Sequence, residues 1–180
     1  RGHAGGYTLK LPFEDRRYHS KKQFIADIAM SLGGYIAERM VFNDLTTGPS
    51  SDLQQLTALA RNMVTKYGMS DKMGPVALEG AGGQALYGAV TGEKEYSEQI
   101  SAEIDAEVKQ IIDNAYKTAE TILTKHRPLL DALAEKLIEV ETLEREDFEK
   151  ILIVHGVEPK KREQESDQEV RKERKTGKQN

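Results

Sequence analysis

The chain has 180 residues, 38% of them hydrophobic, which fits one domain of ordinary size with a real core. It has no cysteine, which excludes disulfides, thiolate zinc sites and cysteine nucleophiles, so any metal must be held by His, Asp or Glu. Net charge is −4; from residue 158 on there are eight Lys+Arg against six Asp+Glu, so the remainder is more acidic still, and nothing in it forms a nucleic-acid footprint. No run of about 18 apolar residues marks a membrane span, and the opening Arg1-Gly-His reads as the interior of a domain rather than a signal peptide.

In chain order, Gly5, Gly6, Tyr7, Thr8, Leu9, Lys10 and Leu11 alternate β-formers behind a glycine pair and stop at Pro12, predicting a short edge strand. Such an edge offers backbone groups to an extended peptide, although an ordinary edge in a small sheet has the same pattern. Ser20 then caps a helix to about Phe42, with Phe24, Ile25, Ile28, Ala29, Leu32, Ile36, Ala37 and Met40 on one face. Gly33-Gly34 in its interior costs about 1 kcal/mol per glycine, so the pair predicts close approach of another backbone. Glu38 lies about one turn beyond; a lone helical Glu is solvated unless it stands behind a metal ligand.

The stretch TTGPSSDLQQLTALARNMVTKYGM, residues 46–69, is the centre of the chain. A Gly-Pro-Ser-Ser turn delivers Asp52 to the first turn of a helix with apolar positions at Leu53, Leu56, Leu59, Ala60, Met63, Val64 and Tyr67. Ser51 with Gln54 fits a capping box. An acid at this entrance complements the helix dipole, worth about 0.3 to 1 kcal/mol, and a ligand role requires partners that spacing alone does not supply.

Gly68 predicts the end of that helix, and residues 70–76 a turn through Gly74-Pro75. Residues 79–95 read as a mobile loop; their glycines lack the G-x-x-x-x-G-K-S/T pattern of a phosphate cradle, which excludes nucleotide binding there. Ser97 caps the longest helix, to about Thr124. His126-Arg127-Pro128 breaks the chain before a helix carrying Leu129, Leu130, Leu133, Leu137 and Ile138, and Thr142 opens a last one through Phe148, Ile151 and Leu152. These predict a C-terminal helical hairpin with a short closing helix packed beside the first two helices. From residue 158 the scarcity of apolar residues predicts disorder.

A hydrolytic zinc site needs three protein ligands and an open position, and a helical H-E-x-x-H supplies two of them with a general base. That motif is absent; His3, His19, His126 and His155 include no pair at a spacing of four. The residues alone do not demonstrate catalysis.

Several blocks, in order and at the expected spacing, carry a resemblance. They are RGHAGGYTL at the start, LGGYIAER from Leu32, TTGPSSDL from Thr46 and ARNMVTKYGMS from Ala60, together with Gly74-Pro75 and the helix start at Tyr96-Ser97. Over residues 1–153 the chain resembles the peptidase domain of the FtsH family, membrane-anchored ATP-dependent zinc metalloproteases. The resemblance implies a mainly α (α+β) fold, a helical metalloprotease domain with a small β-sheet and a C-terminal helical hairpin, in which residues 1–157 are a partial peptidase domain and 158–180 a charged tail. It implies that the H-E-x-x-H helix, with two histidine ligands and the catalytic glutamate, lies just upstream of Arg1, so that no catalytic residue falls in this stretch, and that Asp52 is the third zinc ligand.

By the same resemblance Gly5, Gly6, Tyr7, Thr8 and Leu9 match the edge strand beside the cleft and hold substrate backbone. Glu38 matches the first acid of the family's A-E-E, with a place behind the metal ligands, whereas Arg39 stands where the second acid is usual. The implied whole is a homo-hexameric endopeptidase acting on unfolded or membrane proteins in protein quality control. Its ATP and Mg2+ belong to an ATPase module outside this stretch, it reaches the cell membrane through N-terminal segments, and its peptidase domain lies on the cytoplasmic side. The competing class is a non-catalytic helical scaffold or oligomerisation module, a degenerate protease, and the sequence upstream of Arg1 discriminates the two.

Overall fold

The computed structural model describes residues 18–78 and 97–159. Six helices occupy them: α1 Lys21–Ser31, α2 Gly33–Phe42, α3 Ser50–Thr65, α4 Glu98–Lys125, α5 Arg127–Val140 and α6 Arg145–Val154. Among the described residues no strand is present, only an isolated antiparallel bridge between Ser70 and Gly74, so the fold is mainly α. The expected edge strand at residues 5–11, the loop at 79–95 and most of the tail from 158 lie outside the described residues.

The chain divides into two compact units, one covering His19–Leu130 and the other including the remainder of α5 and α6. In the first unit the core is built as the periodicities require. Ile28 from α1, Ile36 from α2, Leu56, Ala60, Met63 and Val64 from α3, and Ile104, Val108, Ala115 and Ala119 from α4 form one buried cluster. α3 packs on α4, α1 packs on both, and α2 packs chiefly on α4. In the second unit, Ala132 and Lys136 of α5 and Lys150, Ile151, Val154 and His155 of α6 line an apolar groove of about 260 Å3.

The expected first helix is two. It is interrupted at Leu32, whose ψ of −12° tightens the turn directly before the glycine pair, where no side chain stiffens the backbone. Neither glycine meets another backbone: among the described residues, a Cβ placed on Gly33 or Gly34 has no neighbour within 4 Å, so the expected close approach is absent. The start of α1 holds the capping box, with the Gln23 N–H donating to Ser20 Oγ at 3.3 Å and the Ser20 N–H to Gln23 Oε1 at 2.8 Å.

No such box forms at Ser51. The Ser50 N–H donates to the Thr47 carbonyl at 3.1 Å and the Leu53 N–H to the Pro49 carbonyl at 3.0 Å, so α3 starts earlier, with Pro49 as its cap and Ser51 already inside. Proline's fixed φ favours this earlier start. The last helix likewise starts later than Thr142, with Glu144 as cap, because Glu141 turns left-handed at φ +58° and delays it. Ser97 caps α4 as expected, accepting the Ile100 N–H at 3.3 Å.

Beyond α3 the chain is pinned in place. Gly68 adopts φ +59° in tight contact with Pro75, and the Met69 N–H donates to the Met63 carbonyl at 2.9 Å. The buried Ser70 hydroxyl donates to Oε2 of Glu107 on α4 at 2.6 Å and accepts the Met73 N–H at 3.0 Å, while the Leu78 N–H reaches back to the Thr65 carbonyl at 2.8 Å.

Candidate functional site

The entrance to α3 is a structured turn. The Thr46 hydroxyl accepts the Gly48 N–H at 3.1 Å, and the Asp44 carboxylate accepts the Leu45 N–H at 2.8 Å. These short-range bonds set the path into Pro49 and place Asp52 in the first helical turn, where its charge complements the helix dipole. The Asp52 side chain is exposed, and among the described residues no hydrogen bond or ion pair engages it. An unengaged carboxylate carried at a helix entrance is able to accept a metal or a proton donor without first breaking another bond.

Glu38 lies on α2, partly buried, and its Oε2 is fully enclosed with no hydrogen-bond partner among the described residues. A buried carboxylate oxygen left unpaired costs roughly 1–3 kcal/mol or more, so this atom demands a donor. No hydrogen bond or ion pair joins Glu38 to Asp52, and among the described residues no group of three or more His, Cys, Asp or Glu side chains is arranged to hold a metal. Gly5, Gly6, Tyr7, Thr8 and Leu9 lie outside the described residues.

Arg39 behaves differently from its neighbour. Its Nη1 donates to the Tyr116 hydroxyl on α4 at 3.4 Å, and that hydroxyl donates to Glu120 Oε1 at 3.2 Å, while the Tyr35 and Tyr116 rings meet edge to face at 6.4 Å. Burial pushes the Tyr116 phenol above the ordinary tyrosine range; the Arg39 guanidinium opposes that shift and Glu120 reinforces it. The sequence gives one signal for this network, the Tyr116 and Glu120 pair four residues apart on one helix, but not its partner 77 residues upstream.

The helical core and the Thr-Thr-Gly turn lie within residues 1–151, which match the model of Peptidase family M41, and the chain belongs to that family of peptidase domains. Its relatives are proteins of FtsH type. It is 43% identical over 159 residues to ATP-dependent zinc metalloprotease FtsH 1 of Thermoanaerobacter sp. (strain X514), a match covering 88% of this chain and 26% of that protein. It is 45% identical over 153 residues to the FtsH of Caldicellulosiruptor bescii, covering 84% of this chain and 25% of the relative. With the FtsH of Bacillus subtilis it shares 43% identity over 163 residues, covering 89% and 25%. The chain therefore spans about a quarter of the length of these relatives. No helix among the described residues is long and apolar enough to cross a membrane.

Proposed function

We propose that this chain forms the part of an ATP-dependent zinc endopeptidase that follows the zinc-binding helix, and that Asp52 is its contribution to the metal. The observation that carries this reading is the exposed Asp52 carboxylate, fixed at the entrance to α3 and free of partners among the described residues, within a chain of Peptidase family M41. One carboxylate is a fraction of a zinc site, which suits a ligand set completed by two imidazoles from an H-E-x-x-H helix. When bound, zinc supplies Lewis-acid polarisation of a peptide carbonyl and a more acidic water.

The residues of this chain act around that centre. Asp52 holds the metal from the α3 entrance. Glu38, whose enclosed Oε2 has no donor among the described residues, accepts the N–H of a ligand histidine and fixes its ring, a service that such outer partners give metal sites generally. Gly5, Gly6, Tyr7, Thr8 and Leu9 pair with substrate backbone as an added strand, which suits unfolded polypeptides of any sequence. ATP and Mg2+ serve a separate ATPase module, which the ATP-dependence named for the FtsH relatives supports, and on the family resemblance the full-length protein works as a homo-hexamer at the cell membrane with this domain on the cytoplasmic side.

The test is Asp52→Ala in the full-length protein. Zinc per chain, measured after dialysis, falls from about one to well below one, casein degradation is lost, and ATP hydrolysis persists. Retained proteolysis with lost ATPase contradicts the assignment. A full-length sequence without H-E-x-x-H ahead of Arg1 instead favours the non-catalytic scaffold.

A further inference from the structure

The Arg39, Tyr116 and Glu120 network lies on the solvent-facing side of the α2 and α4 contact and has no part in the ligand set proposed above. Its setting gives it a use. α2 is only ten residues long and has no side-chain cap; bonds from the Leu32 N–H to the Ile28 carbonyl at 3.1 Å and from the Ile36 N–H to the Leu32 carbonyl at 3.0 Å carry the backbone across its junction with α1, but the two glycines that open it leave that junction compliant. The side-chain restraint on the rotation of α2 comes chiefly from α4, through buried Ile36, the edge of Tyr35 on Tyr116, and the Arg39 guanidinium on the Tyr116 hydroxyl.

Glu38 and Arg39 are consecutive, about 100° apart around the helix, so whatever holds Arg39 also sets where Glu38 points. A carboxylate about 6 Å from the axis moves about 1 Å when the helix turns by about 10°. That is enough to spoil a hydrogen bond. We infer that Arg39 is a positioning residue: held by Tyr116, which Glu120 orients in turn, it locks the rotation of α2 so that the enclosed Glu38 carboxylate meets its donor. The inference rests on the metal-site reading above, in which Glu38 steadies a zinc ligand.

Because the network is exposed, its effect lies in geometry more than in stability. The experiment compares Arg39→Ala, Tyr116→Phe and the double variant in the zinc-loaded full-length protein, following zinc loss to an excess chelator alongside thermal unfolding. Each single variant loses zinc about three- to tenfold faster with its unfolding midpoint nearly unchanged, and the double variant is no faster than the worse single one, since both break one chain of contacts. Zinc-loss rates equal to wild type, rates that only track a falling midpoint, or additive effects in the double variant each overturn the positioning role. A wild-type protein that holds no zinc overturns the metal-site reading and this inference with it, so the two failures are told apart by the wild-type control.

Discussion

Among single residues, Ser70 and Glu107 are the most consequential polar pair in the described core. Both are buried, and the serine hydroxyl is the donor that meets Glu107 Oε2 at 2.6 Å. Removing it leaves a buried carboxylate short of a hydrogen bond and the Met73 N–H short of an acceptor. Ser70→Ala is expected to destabilise the fold by roughly 1–3 kcal/mol, measured by urea denaturation. Glu107→Gln keeps an acceptor for that hydroxyl and is expected to cost less. Neither residue was legible as a pair in the sequence: they are 37 positions apart, one in a turn and one mid-helix, and only the packing of the post-α3 turn on α4 brings them together. Asp52 differs, because its placement depends on neighbours within six residues, from Thr46 to Pro49, and short-range turn chemistry can be read from sequence. Its role as a ligand could not be, since the partners that define a metal site are remote in sequence.

At the level of elements, the glycines divide into two kinds with opposite predicted outcomes. Gly34 sits in α2 with open space where a Cβ would go and without a left-handed backbone, so Gly34→Ala is expected to stabilise by about 0.5–1 kcal/mol through the reduced entropy of the unfolded chain. Gly68 has φ +59° and its Cβ would approach the Pro75 backbone to 3.2 Å, so Gly68→Ala is expected to destabilise by about 1–2 kcal/mol or more. Thermal unfolding of the two variants checks both signs at once. The core helices were legible because a 3.6-residue period is imposed by the burial that stabilises them, and Ile28, Ile36 and Met63 all fall on the expected faces. Boundaries were less legible where caps compete. The Ser51 box lost to Pro49, which caps the helix two residues sooner, and the helix across Leu32 divided because local glycine freedom outweighed an unbroken apolar stripe.

In the molecule as a whole, the first unit depends on four helices meeting at a small set of enclosed side chains. Met63 is 0% exposed in the last turn of α3, so Met63→Ala is expected to cost about 2–5 kcal/mol, seen as a lower denaturation midpoint. Such a loss is comparable to a large share of a domain's total stability, so the entrance that presents Asp52 and the anchored turn beyond Thr65 depend on the same core. The two ends of α3 differ in character, however: one carries an exposed, unengaged carboxylate and the other is pinned by Gly68, Ser70 and Leu78. That pinning has a kinetic signature. The Leu78 amide donates at 2.8 Å to the carbonyl of Thr65, a residue with no exposed surface, so its hydrogen can exchange with solvent only when the turn detaches from the helix. In deuterium oxide, Leu78 is expected to exchange far more slowly than Leu45, whose amide donates to the exposed Asp44 carboxylate, and Ser70→Ala is expected to accelerate Leu78 while leaving Leu45 unchanged. This one backbone proton would then time the opening of the clasp that closes the far end of α3.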